Sequence, residues 1–277
     1  MDIPFSRWHP AIEKRRSRRH FDPNLPIPPE TLAAVDKVCK QFAPFPHARS
    51  RLVTESAESV FKGIIGSYGK VKDAPAFIAF IGDMDDPFAQ EEVGYTGEGI
   101  ILEATALGLD TCWVAGFFKP GIVTSLLEVS DRERVLAVTP VGYARKFESW
   151  EEKLMTGFGR SHNRVALSKL ARGLSREKWP DWVNVCLEAA RLAPSAANRQ
   201  PWGFDVQEDS ITVFVRTGGP GFNVSKRLDC GIAMLHLEVA AADCHCRGQW
   251  EFLPSPQVGK FKIYSQSVLL ALTQWGR

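Results

Sequence analysis

Two helix-length stretches, 97–109 and 228–242, are apolar on most of their sides, carrying Ile100, Ile101, Leu102, Ala104, Ala106 and Leu107 in the first. A helix of that kind must be buried. Each stretch closes a similar succession. In the first, Pro28-Pro29-Glu30 opens a helix. Leu32, Val35, Val38, Cys39 and Phe42 form its buried face, and Ala43-Pro44 ends it; the strand-like run 76–82 and the apolar helix follow. In the second, a helix over 182–192 ends in Ala193-Pro194, two short strands occupy 204–207 and 211–216, and the apolar helix comes next. Phe42-Ala43-Pro44 aligns with Leu192-Ala193-Pro194 at an offset of 150, and Leu102-Glu103-Ala104 with Leu237-Glu238-Val239 at 135. Helices ending in Ala-Pro are common, but two echoes in the same order favour an internal duplication. The expected halves are 1–165 and 166–277, joined by a polar crossover over 144–180.

The remaining elements fill this frame. Ile3, Phe5, Trp8 and Ile12 space an amphipathic helix at the start. A helix is expected within 55–72, ending near Gly66-Ser67-Tyr68-Gly69, and a loop over the acidic 83–90. Short strands are expected at 111–118, broken at Gly116, and at 134–143 with a turn near Pro140. A helix over 120–127, a Gly-Gly-Pro-Gly loop at 218–221 and a last strand over 268–273 complete the reading.

With 277 residues and a net charge of +2, the chain can bury a large core and has no global attraction for polyanions. No apolar run reaches the length of a membrane span, and the first ten residues lack the apolar core of a secretory signal. The expectation is a cytoplasmic protein without a membrane partner. Cys244-His245-Cys246 is the one metal-like cluster among the six cysteines, and its spacing does not suit zinc, so no metal is expected.

Two segments carry candidate chemistry. The run Lys14-Arg15-Arg16-Ser17-Arg18-Arg19 reads by itself as a solvated basic surface or a nucleic-acid patch. The stretch 191–202, R-L-A-P-S-A-A-N-R-Q-P-W, is a helix end with a tight turn, or else a wall presenting backbone and the amides of Asn198 and Gln200 to a flat polar ring.

In these residues the chain resembles the flavin-dependent nitroreductases. Lys14 to Asp22 looks like that family's R-x-S-x-[RK]-x-F-D segment, and 193–202 like its A-P-S-x-x-N-x-Q-P-W segment. Glu103 to Trp113 looks like A-x-x-L-G-L-x-T-x-W, continued by Val114-Ala115-Gly116-Phe117; Pro140 to Tyr143 looks like its P-x-G-Y strand, and 160–167 like its basic closing segment. The resemblance implies an α+β fold, with a central mixed or antiparallel sheet flanked by helices in each of two pseudo-symmetric halves. It also implies FMN as cofactor and NAD(P)H as co-substrate. Electrons would pass by a ping-pong hydride mechanism to a nitro, quinone or other small acceptor, with no catalytic side chain because the flavin carries the chemistry.

By the same resemblance, Arg15, Arg16 and Arg19 with Ser17 bind phosphate or ribityl oxygens, and Arg164 and Arg160 close that site. Lys70 and Ser67 approach the ring, although Lys70 also reads as an ordinary surface lysine. Val114, Ala115 and Gly116 face it with backbone, and Pro194, Ser195, Ala196 and Asn198 cover it. Ala115 stands where many members carry glutamate. One departure matters. In the family the arginine segment and A-P-S-x-x-N lie close in sequence, whereas here 178 residues separate Ser17 from Ser195, and the expected place reads Ala43-Pro44-Phe45-Pro46-His47-Ala48 with no asparagine. Family members are homodimers with flavin at the interface. This chain looks like such a dimer fused into one polypeptide and active as a monomer, with one complete flavin site and one degenerate. Two further readings stay open: a flavin-binding protein without turnover, and a nucleic-acid-binding protein using 14–19.

Overall fold

The computed structural model describes residues 1–55, 57–61, 70–145, 163–218 and 223–264. The first part contains α1 (Phe5–Lys14), α2 (Pro29–Gln41), β1 (Ala48–Val53), α3 (Ala57–Phe61), β2 (Ala76–Asp83), α4 (Ala89–Ala106), β3 (Asp110–Thr111), α5 (Pro120–Leu126) and β4 (Glu133–Gly142). The second contains α6 (Leu167–Leu170), β5 (Ala171–Gly173), α7 (Asp181–Arg191), β6 (Trp202–Val206), β7 (Ser210–Val215), α8 (Lys226–Asp243), β8 (Gly248–Phe252) and β9 (Gln257–Ile263). The expected strand over 268–273 and the helix end near Gly66 lie outside the described residues, as does most of the Gly-Gly-Pro-Gly loop.

The first sheet has the order β1-β2-β4-β3, with every pairing antiparallel. The second runs β5-β6-β7-β9-β8, where only β5 pairs in parallel. Without β5, it repeats the first: an antiparallel pair, a long helix, an edge strand and a return beside the pair. Both long helices have 18 residues. Residue 89 matches 226 and 106 matches 243, a displacement of 137. The offset of 135 read from Leu102-Glu103-Ala104 is therefore two residues out of register; a run of interchangeable small apolar residues fixes no register by itself.

Packing explains the sequence pattern. In β2, Ala76, Ile78 and Phe80 face the main core, while Phe77 and Ala79 face a second cluster with Val60, Phe61, Val123 and Val138. A strand covered on both faces reads as a continuous apolar run. The main core extends across both parts of the chain, with α4 lying against α8. A Cβ on Gly94 would collide with the carbonyl oxygen of Leu228, and one on Gly231 with that of Glu91. Each glycine thus admits the backbone three residues before the other, and the crossing is reciprocal.

Two expectations are corrected. Helix α4 begins at Ala89, inside the region expected to be a loop, because its acids are covered: Glu91 is held by Arg227 Nε at 3.0 and 3.1 Å. No turn occurs at Pro140, which lies within β4 opposite Phe77. Proline is tolerated there because the β3 ladder stops at Thr111–Val141. Beyond it, the Cys112 N–H is taken by Thr139 Oγ1 at 3.0 Å. Among the described residues, no helix is long and apolar enough to cross a membrane.

Candidate functional site

The segment after α7 is a tightly wound turn. Pro194 cannot continue the helix, and Ala197, Asn198 and Gln200 take positive φ of 53°, 51° and 45°. Left-handed backbone at three non-glycine residues persists only where the surroundings impose it. Here Ser195 Oγ accepts the Gln200 N–H at 2.9 Å. Asp229, on α8, accepts from Ala196 N–H at 3.1 Å and from Arg199 Nε at 2.7 Å. Arg199 also donates to the carbonyls of Val224 and Ser225 at 2.9 and 2.8 Å. Burial pushes the Asp229 carboxyl up to about 6, against the opposing pull of Arg199.

The amides here are largely engaged within the protein. Gln200 is buried; its Oε1 accepts the Val165 N–H at 2.9 Å and its Nε2 donates to the Asn163 carbonyl at 3.0 Å. Asn198 Nδ2 donates to the same carbonyl at 3.0 Å, and its Oδ1 accepts from Arg164 Nη1 at 3.1 Å. These groups fix 163–165 against the turn. Pro194 is buried, and Ser195 and Ala196 are half-buried.

The basic run is held against two other segments. Ser17 bridges Thr111, Arg18 N–H donates to the Thr111 carbonyl at 2.8 Å, and Lys72 N–H donates to the Arg19 carbonyl at 2.9 Å. Arg15 is buried, with Nη1 donating to Ser17 Oγ at 3.4 Å. Its Nε lies 3.8 Å from Glu98 Oε1 and has no hydrogen-bond partner among the described residues. Arg16 is exposed and donates to the Glu13 and Arg15 carbonyls at 2.6 and 2.8 Å, closing the end of α1. Arg164 donates to the Leu192 carbonyl at 3.2 Å. Burial first, then the charges of Arg15, Arg191 and Arg16, lower Arg164 to about 10. Guanidinium groups from both parts of the chain therefore converge.

Val114 bridges Val138, Ala115 is half-buried and Gly116 is exposed. The nearest atom to a Cβ placed on Gly116 is Val224 Cγ2, at 3.7 Å, so this loop meets the second part with room to spare. Lys70 is exposed and stands two residues before the bridge to His20. Ser67 and Arg160 lie outside the described residues.

Glu98 and His236 were absent from the sequence reading. Glu98 Oε2 accepts from Trp113 Nε1 at 2.6 Å, its Oε1 is 2.9 Å from His236 Nε2, and His236 Nδ1 is 3.0 Å from the Ala189 carbonyl. Each lies among several other ionisable residues on its helix, so no local signal singled it out. Cys244 and Cys246, half-buried at the end of α8, have pKa values raised by burial, which disfavours the metal-binding thiolate.

A sequence model of the family described as "Putative TM nitroreductase" matches residues 8–241. The chain belongs to this family of oxidoreductases. The nitroreductase shares its α+β fold, with sheets flanked by helices, with a Thermotoga maritima crystal structure given the same nitroreductase designation. The two are 20% identical over 92% of this chain and 93% of that one, with a TM-score of 0.62. A nitroreductase family protein from Clostridium difficile 630 is 23% identical over 61% of this chain and 98% of its own, with a TM-score of 0.45. A Bacteroides fragilis nitroreductase with bound FMN is 20% identical over 51% and 90%, with a TM-score of 0.41. No curated protein matches the chain.

Proposed function

We propose that this nitroreductase binds FMN between its two halves and passes electrons from NAD(P)H to a nitro compound, a quinone or a similar small acceptor. The observation that carries the reading is the arginine cluster. Arg15 and Arg16 come from one half, Arg164 and Arg191 from the other, and Arg164 is lowered to about 10 by its burial and by theirs. Like charges that act on one another are stabilised by an anion, and planar guanidinium donors suit a phosphate. The unpartnered Nε of buried Arg15 fits the same demand. The residues present therefore fit the phosphate end of FMN.

In this reading Arg15, Arg16, Arg19 and Arg164, with Ser17, hold the phosphate and ribityl oxygens. The backbone of 114–116 lines one side of the ring, where exposed Gly116 leaves space. Pro194, Ser195, Ala196 and Asn198 cover the other side. Roles for Lys70, Ser67 and Arg160 rest on the family resemblance alone. When bound, FMN supplies hydride acceptance and release, so that donor and acceptor use one face in turn. The chain's own residues bind, orient and shield, and no acid or base is required of them.

The same proposal treats the chain as a fused dimer with one working pocket. The repeated strand order and the reciprocal crossing of Gly94 and Gly231 support it. So does the fate of the other loop. There His47 Nδ1 lies 3.3 Å from Asp86 and 3.5 Å from Glu92, and the segment lacks an asparagine. The test is the absorption spectrum of the purified protein titrated with FMN. Oxidised-flavin peaks that bleach with NADH or NADPH under anaerobic conditions are expected. A protein that cannot be loaded with FMN ends the reading.

A further inference from the structure

A fully buried carboxyl and a fully buried imidazole, one from each half, meet beneath the pocket: Glu98 on α4 and His236 on α8. Their partners fix where hydrogens can sit. The indole N–H of Trp113 only donates, so Glu98 Oε2 accepts it. The Ala189 carbonyl only accepts, so His236 Nδ1 carries a hydrogen. Glu98 Oε1 and His236 Nε2 then face each other at 2.9 Å. Two lone pairs at that distance repel, so a proton lies between them. Whether it is drawn on nitrogen or on oxygen, the pair holds one shared proton and has no net charge.

The third neighbour is Arg15. Its Nε is 3.8 Å from Glu98 Oε1, beyond hydrogen-bond reach, and has no hydrogen-bond partner among the described residues. Both oxygens of Glu98 are already engaged, by Trp113 and His236. Arg15 itself has Cys112 and Arg16 as further neighbours besides Glu98; α7 presents the Ala189 carbonyl to the pair and the 113–116 loop presents the indole N–H. We propose that Glu98 and His236 are positioning residues of the flavin pocket: their shared proton keeps the carboxyl from neutralising Arg15, so the guanidinium charge is left for the anionic cofactor. The bonds of the pair also join α4, α7, α8 and the loop at 113–116, tying walls from both halves into one frame. This inference rests on the FMN reading above.

The two partners are not equivalent under substitution. With Glu98→Gln, the amide oxygen accepts from Trp113 and the amide nitrogen donates to a neutral His236. Every group stays bonded and Arg15 stays uncompensated, so FMN affinity stays within about twofold of wild type. With His236→Gln, the new amide donates to Glu98, which becomes a bare carboxylate beside Arg15. The pocket loses one positive charge, so FMN affinity falls about tenfold and the flavin midpoint potential shifts negative. A role limited to packing could also weaken binding in His236→Gln, which removes the donor to the Ala189 carbonyl, but it predicts no negative shift of the midpoint potential.

Nitrogen-15 spectra of histidine-labelled wild-type protein, with His236 assigned by its loss in His236→Gln, supply a second readout that needs no flavin. The expected result is a His236 ring with a hydrogen on Nδ1 and a hydrogen bonded to, or shared by, Nε2. A bare, unbonded Nε2 overturns the inference, and so does Glu98→Gln weakening FMN as much as His236→Gln while wild type binds FMN normally. Failure of wild type to bind FMN, with His236 still holding its proton, overturns the cofactor reading and with it the positioning role, while leaving the shared proton established.

Discussion

Asn198 sits in a left-handed turn and divides its amide between the Asn163 carbonyl and the Arg164 guanidinium. Its contribution to a flavin site is therefore to hold Arg164 in place. Asn198→Ala removes an acceptor from a charged donor, a loss of about 1.5–3 kcal/mol, so the FMN Kd rises about tenfold or more. Arg15→Ala acts on the charge itself and should weaken FMN at least as much; fluorescence titration of the flavin checks both. Neither change affecting affinity would place the pocket elsewhere. Asp229 makes a different prediction. Its folded pKa of about 6 lies above the ordinary 3.8, so its stabilising contribution is complete below about pH 4 and is lost as pH rises through 6. Measured against Asp229→Asn, wild type should lose about 3 kcal/mol of unfolding free energy between pH 4 and 7. Denaturant titrations at both pH values test this, and a difference that grows with pH contradicts it. Arg15, Ser17, Arg164 and Asn198 were legible as motif positions. Glu98 and His236 were not, because each acquires its meaning from a partner 138 residues away.

At the level of elements, α4 and α8 decide the architecture. Their apolar density was plain in the sequence, but the start of α4 was not. Glu91 and Glu92 look like loop residues until Arg227 and His47 arrive from distant parts of the chain. β8 and β9 had a local signal, the alternation of Gln249-Trp250-Glu251-Phe252 and Lys260-Phe261-Lys262-Ile263, which the sequence reading passed over. Only contact shows why glycine stands at 94 and 231. Gly94→Ala forces α4 away from the Leu228 carbonyl and should cost about 3 kcal/mol or more. Gly121→Ala, where a Cβ meets nothing within 4 Å, is the matched control and should leave the urea midpoint nearly unchanged.

For the whole molecule, the two sheets share one strand order but not one set of side chains. The basic run precedes the first sheet and the Ala-Pro-Ser turn lies between β5 and β6 of the second, so on the proposed reading a complete pocket forms once. Titration should saturate at one FMN per chain, and two would contradict the fused-dimer account. The fold class could be read from the sequence because helix, turn, strand and buried helix recur in order. The register between the repeats could not, since it is set by the crossing of α4 and α8.

That crossing has a consequence for how the molecule could be taken apart. Each helix receives the other's backbone in a notch, and the fit is made by complementary surfaces, independent of the peptide that leads from one sheet to the next. A cut in the 146–162 stretch should therefore leave two fragments that recombine when produced together. The recovered particle would behave as a heterodimer of two polypeptides with unlike duties.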